Sequence, residues 1–221
     1  MSRPAPTDQA HSLSSQAYLQ LEAMIVGQQL PPGALITEGQ LIERLNLGRT
    51  PVREAMQRLA WEGLIEVRPR AGIKVTDLRP ADFVKVLNLR VLLEPQLVAA
   101  AVRNATPKSR GQLAPVRYAM VGAERENDLG AFMRSDKHFD SYLMDAADDV
   151  FLRQTLAPLQ THSRRFWYRF VARSSLKETV RLHLPVIDAC LAGNETAAVS
   201  AMQALLAGML ATADGVLQKS A

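Results

Sequence analysis

The sequence predicts a mainly α-helical protein. An N-terminal helix-turn-helix with a small β wing precedes an all-helical bundle of six or seven helices. Three observations carry this. Apolar residues recur at helical spacing through most of the chain. Strand-like alternation is confined to Ile65/Val67 and Ile73/Val75, on either side of Pro69-Arg70-Ala71-Gly72. Beyond Asp77-Leu78-Arg79-Pro80 that alternation stops and only long helical periods remain.

The elements follow in order. Residues 1–12, with Pro4, Pro6 and no apolar period, are expected to be a flexible lead. A first helix starts at Ser14 or Ser15, turns Tyr18, Leu21 and Ile25 inward, and stops at Gly27 before Pro31-Pro32-Gly33. Thr37 and Gln40 have capping-box spacing for a second helix, with Leu41 and Leu45 inward. A third helix carries Val52, Ala55, Met56 and Leu59 as one apolar stripe. Two short strands, both half-buried, then form the wing. This unit covers residues 1–76, residues 77–81 are the hinge, and 82–221 form the helical unit.

In the helical unit one helix runs from about Pro80 to Val102, and Thr106-Pro107 caps a second that reaches Glu126. A third spans Leu129 to Ala146. A fourth starts at Asp148 or Asp149, and Pro158 is expected to kink or split it. Pro185 places the next start close to His183, with an end at Gly193-Asn194. A last helix reaches Leu217.

The chain has 221 residues and a net charge of +4, but residues 1–76 hold eight Lys/Arg against seven Asp/Glu. Any basic reading surface is therefore local. The single Cys190, in an apolar helix, excludes a disulfide framework within one chain. No stretch is expected to span a bilayer and Met1 to Leu13 lacks a secretion signal's apolar run. Both point to the cytoplasm and to no membrane partner.

On the third helix, Thr50, Arg53 and Gln57 lie opposite the apolar stripe, and Arg49 sits in its first turn. Pro51 is tolerated there, because first-turn N–H groups lack an intrahelical partner. Free N–H donors, a favourable dipole end and two guanidinium groups suit a phosphate backbone and a guanine edge. A solvated basic face is the plainer alternative. The neighbouring turn, with Arg68 and Arg70 beside a glycine, favours contact with a groove and its flanking phosphates.

From Tyr18 to Val75 the chain resembles the winged-helix domain of GntR-family transcription regulators. The resemblance rests on PPGALITEGQL (Pro31 to Leu41), GRTPVREAMQRLAWEGLI (Gly48 to Ile65) and RPRAGIKV (Arg68 to Val75). It implies operator contacts from Arg49, Thr50, Arg53, Gln57, Arg70 and Gly72. Gly48 departs from the Ser or Thr usual there, which removes a side-chain cap and a phosphate donor.

Within the predicted third helix of the bundle, Asp136 and Asp140 lie inside an apolar face with Phe132, Phe139 and Leu143, while His138 falls on the polar face. Two buried carboxylates need a cation, whether a metal, an arginine or a cationic ligand. From about Asp82 to Met209 the chain resembles the FCD effector domain of the FadR branch. Arg90 and Glu94 in LRVLLEP, DKHFD (Asp136 to Asp140), and His183 before Gly193-Asn194 carry that resemblance. Many such domains hold a divalent metal through an Asp, a His four residues later and two further His. Carried over, the set is Asp136, Asp140 and His183. Asp140 stands where a His is usual and Leu205 where the last His is usual. Zinc, nickel or manganese is then one reading of the acid pair, and a negative pocket that suits an amine-bearing effector or an internal arginine partner is the other.

Arg90 likewise has two readings. One is an i,i+4 pair with Glu94, worth a few tenths of a kcal/mol on a helix surface. The other, by resemblance, is a clamp for an effector carboxylate, with Thr179 on the same wall. The resemblance implies a homodimer on double-stranded operator DNA that responds to a small organic or sugar acid, most simply a repressor released by it. The rival is a metal-dependent enzyme built around Asp136, Asp140 and His183. No glycine-rich phosphate loop, HExxH pairing or nucleophile elbow supports it.

Overall fold

The computed structural model describes residues 12–68 and 72–220, the side chains of 172–175 and 219–220 aside. The chain divides into two compact units, Met1–Leu78 and Arg79–Ala221.

The first unit holds α1 (Leu13–Val26), β1 (Leu35–Ile36), α2 (Glu38–Leu45), α3 (Arg49–Trp61), β2 (Ile65–Arg68) and β3 (Gly72–Val75). Ser12 caps α1, accepting from the Ser15 N–H at 3.1 Å. The predicted capping box of α2 forms in full: Thr37 and Gln40 satisfy each other's backbone N–H. Leu21, Ile25, Leu41, Val52, Leu59, Leu64 and Val75 are among the side chains that make one buried core. Tyr18 ties α1 to the end of α3, since its hydroxyl donates to Glu62 at 2.7 Å and Arg58 covers its ring.

The wing differs from expectation in two ways. It has three strands, in the order β1-β3-β2, because the two-residue β1 pairs antiparallel with β3 (Ile36 opposite Ile73). Val67 is also exposed, so β2 buries only Ile65, while β3 buries Ile73 and Val75. β3 is the central strand, covered on its inner face by the helices, whereas β2 is an edge.

The second unit is a helical bundle: α4 (Pro80–Asn104), α5 (Pro107–Arg110), α6 (Leu113–Glu126), α7 (Leu129–Ala147), α8 (Val150–Phe170), α9 (Ala172–Ala192) and α10 (Glu195–Ser220). Asp128 and Asp149 cap α7 and α8, and Gly193 ends α9 in the left-handed region at φ 69°. The single helix expected from Pro107 to Glu126 is two, divided near Gly111.

A split at Pro158 and a helix start close to His183 are both corrected. α8 runs on through Pro158 and α9 through Pro185, as α4 does through Pro95. An internal proline costs ~3 kcal/mol. Burial of Leu156, Gln160 and Ser163 around Pro158, and of Val180, His183, Val186 and Ile187 around Pro185, offsets it. The expectation that no stretch is apolar enough to span a bilayer is corrected too. Glu195–Gln218 is, by length and a mean hydropathy of 1.4. In the fold this is α10, packed along α4 and α9, with Ala198, Met202, Leu205, Leu206 and Ala213 buried.

Candidate functional site

The two units each present a site. On α3 the apolar residues Val52, Ala55, Met56 and Leu59 are buried, which fixes the opposite face outward. Arg49, Thr50, Arg53 and Gln57 are all exposed; the two arginine side chains keep 73% and 57% of their surface. Gly48 is the N-cap, in extended conformation and without a side-chain cap bond. Pro51 removes one further N–H from the first turn.

A carboxylate that the sequence reading did not single out organises this face. Glu38, the first residue of α2, receives the Arg53 Nε–H at both oxygens, at 3.0 and 2.9 Å. Arg49 Nε lies 3.4 Å from Glu38 Oε1. Arg53 is thus held through Nε, which leaves its terminal N–H fork for a second partner, and Arg49 is ion-paired beside it. The available signal was only the position of Glu38 one residue after the Thr37 cap, in the first turn of α2.

Of the wing residues, Arg70 lies outside the described residues. Gly72 is described and has φ +92°; a Cβ there would meet the Ile36 carbonyl oxygen at 2.9 Å. Glycine is therefore needed for the close approach of β1 to β3, whatever else Gly72 touches. Arg68 pairs with Glu66, two residues back along β2, at 2.8 Å.

In the helical unit Asp136, Asp140, His183, Arg90 and Thr179 come together in one cavity of about 320 Å³, part of it open to solvent. Phe132, Trp167 and Met209 add apolar wall. α7 contributes the two acids at i,i+4 spacing. α9 contributes His183 and Thr179, also four apart, and α4 contributes Arg90. His138, as expected, is exposed.

The cation that meets the acids is Arg164 of α8. Its guanidinium bonds Asp140, lies 3.5 Å from Asp136 Oδ2, and donates to Thr161 Oγ1 at 3.2 Å. The sequence reading allowed for an arginine without naming one. The signal was the period Leu156, Gln160, Ser163, Trp167, on whose face Arg164 falls. Asp136 Oδ1 faces His183 Nε2 at 3.1 Å, and His183 Nδ1 faces the Thr179 carbonyl at 2.7 Å. The Thr179 carbonyl can only accept, so Nδ1 carries a proton and Nε2 is the nitrogen turned to Asp136.

The electrostatics agree. Burial acts to lower the His183 pKa, but the bond to Asp136 and its charge outweigh that and raise it. Burial acts to raise the Asp136 pKa, and the His183 bond and charge, then Arg164, bring it down. Asp140 is pushed up to about 7 by burial and by the neighbouring Asp136, against the pull of Arg164.

The metal set implied by resemblance does not fit this arrangement. Arg164 stands against both carboxylates, and Leu205 is a buried apolar side chain. Among the described residues no group of three or more His, Cys, Asp or Glu is arranged to hold an ion.

Of the two readings of Arg90, the structure shows the i,i+4 pair. It pairs with Glu94 in bidentate fashion at 2.7 and 3.1 Å and lines the cavity. The pair is buried rather than on a helix surface, so the few tenths of a kcal/mol expected for it does not apply. Ser163 accepts from Arg90 at 2.6 Å, and Gln160 donates to Glu94 at 3.0 Å. Thr179 accepts from Trp167 Nε1 at 3.1 Å.

Comparison with known proteins gives two family matches. Residues 13–75 match the model described as bacterial regulatory proteins, gntR family, and residues 85–208 that of the FCD domain. An HTH-type transcriptional regulator from an unstable DNA locus of Streptomyces ambofaciens is 31% identical over 193 residues, covering 84% of this chain and 78% of that protein. The HTH-type transcriptional repressor RspR of Escherichia coli is 28% identical, covering 80% and 78%. The solved structure of E. coli McbR/YncC superposes with a TM-score of 0.78 at 22% identity, covering 95% of this chain and 98% of that one.

Proposed function

Because the chain belongs to the GntR family of transcription regulators and carries an FCD domain, we propose that it reads a short operator through α3 and the wing and releases it in response to a small acid. The family and the relatives are regulators rather than enzymes, which removes the metal-dependent enzyme alternative. The observation that carries the proposal is the row Arg49, Thr50, Arg53 and Gln57, exposed on one face at the start of α3.

A homodimer matches the twofold symmetry of a palindromic operator. Arg49 and Arg53 read bases or phosphates there, and Arg70 and Gly72 add wing contacts. The cavity bounded by Arg90, Thr179 and Arg164 takes the effector, an organic or sugar acid. Effector binding shifts the placement of the two reading heads and so the affinity for DNA. The protein acts in the cytoplasm, where its operator is.

The test is fluorescence anisotropy on DNA from upstream of its own gene. Arg49→Ala and Arg53→Ala should each weaken specific binding by about 1–3 kcal/mol. Equal binding of wild type and both variants to operator and scrambled duplex would overturn the reading.

A further inference from the structure

The acid pair of α7 is met from within the chain. Asp136 and Asp140 are both buried, with Arg164 and His183 against them. Arg164 bonds Asp140 and approaches Asp136, while His183 Nε2 lies 3.1 Å from Asp136 Oδ1. The guanidinium thus stands between the two carboxylates, where a divalent ion would have to sit to be shared by them. The two departures from the metal-holding pattern agree with this. At position 140 an aspartate meets a guanidinium where an imidazole would meet a metal. At position 205 the side chain is apolar and buried, beside Phe83 and Leu182 on an adjoining cavity.

We infer that Arg164 takes the place in this chain of the divalent ion that related effector domains hold, so that the effector cavity is organised without a metal. The guanidinium is planar and fixed by Thr161, so it orients the two carboxylates as well as neutralising them. The inference goes beyond the regulatory reading, and its test reads metal content and thermal stability, not DNA release, so the two can fail separately.

Full-length protein purified without added ions is dialysed against zinc, nickel or manganese, then assayed by elemental analysis and thermal melting. Wild type should retain no stoichiometric ion and show no rise in melting temperature. Arg164→Ala should melt lower than wild type, and one of the three ions should restore its melting temperature at one ion per chain. Adding Asp136→Asn should abolish that rescue. Arg164→Lys, which keeps the charge, should melt between the two without metal. One ion per chain retained by wild type and lost on Asp136→Asn would overturn the inference. So would an Arg164→Ala protein as stable as wild type that takes up no ion. If Arg164→Ala does not fold, the wild-type metal content and the melting of Arg164→Lys decide alone.

Discussion

Glu38 holds Arg53 by its Nε through both carboxylate oxygens, at 3.0 and 2.9 Å, and leaves the outer fork of the guanidinium open. The two residues are fifteen apart in sequence and lie on successive helices. An exposed arginine otherwise samples many rotamers, and that freedom is lost on binding. A carboxylate that fixes Nε restricts the side chain in advance.

Glu38→Gln should therefore separate specificity from affinity. Non-specific DNA binding should tighten, because an anion beside the phosphates is removed. The ratio of specific to non-specific affinity should fall by roughly tenfold, or ~1.4 kcal/mol. Anisotropy on operator and scrambled duplexes at two salt concentrations measures both. Fold stability should change by less than ~1 kcal/mol, as expected for an exposed pair. An unchanged ratio would remove Glu38 from the positioning role.

Gly48→Ser tests the missing cap of α3. The backbone there is extended (φ −66°, ψ 164°), and an added Cβ would meet nothing nearer than the Pro51 ring at 3.8 Å. A serine fits without strain. Its stabilising effect should be only a few tenths of a kcal/mol, and Pro51 supplies no N–H to it. The larger effect should be on DNA. A hydroxyl beside the helix start adds a phosphate donor, so affinity should rise by the same factor on operator and scrambled duplex.

Arg90→Ala should cost much more than a surface pair would. It leaves the Glu94 carboxylate buried without its bidentate partner, and breaking such a pair costs about 3–5 kcal/mol. Urea denaturation should show that loss. Replacing both partners with apolar residues of similar volume, as in Arg90→Met with Glu94→Leu, should recover most of it. A loss near zero for the single variant would mean that water reaches Glu94. In a variant that still folds, the effector response should be absent and operator binding retained.

The acid cluster sets a pH dependence whose sign can be worked out. Asp140 has its folded pKa raised from 3.8 to about 7, so the folded protein binds the extra proton and stability falls as pH rises through that interval. His183 has its folded pKa raised above 6.5, so its contribution is complete below 6.5 and is lost as pH rises through the folded value. Asp136, lowered, contributes above 3.8 and loses that contribution as pH falls through its folded value. The thermal midpoint of the helical unit should thus be higher near pH 5 than near pH 8. Asp140→Asn should flatten the slope between pH 4 and 7 and keep the part above 6.5. A wild-type midpoint that rises across pH 4 to 7 would contradict this assignment.

The sequence by itself determined the elements whose signals are local. The Thr37–Gln40 capping box, the ends of α1 and α9 at glycines, the burial of Val52, Met56 and Leu59, and the exposure of Arg49 and Arg53 all follow from residues within one or two helical turns of each other. It also placed Asp136 and Asp140 on a buried face and His138 off it. Only the tertiary structure decided which groups meet there. Periodicity says which way a side chain points, but not which helix faces it. Arg164 reaches Asp140 across twenty-four residues, Glu38 reaches Arg53 across fifteen, and β1 joins the wing from beyond two helices. The prolines make the same point from the other side. Each removes one local hydrogen bond at Pro95, Pro158 and Pro185, yet the helices continue, because the free energy that holds them comes from the faces they bury against their neighbours.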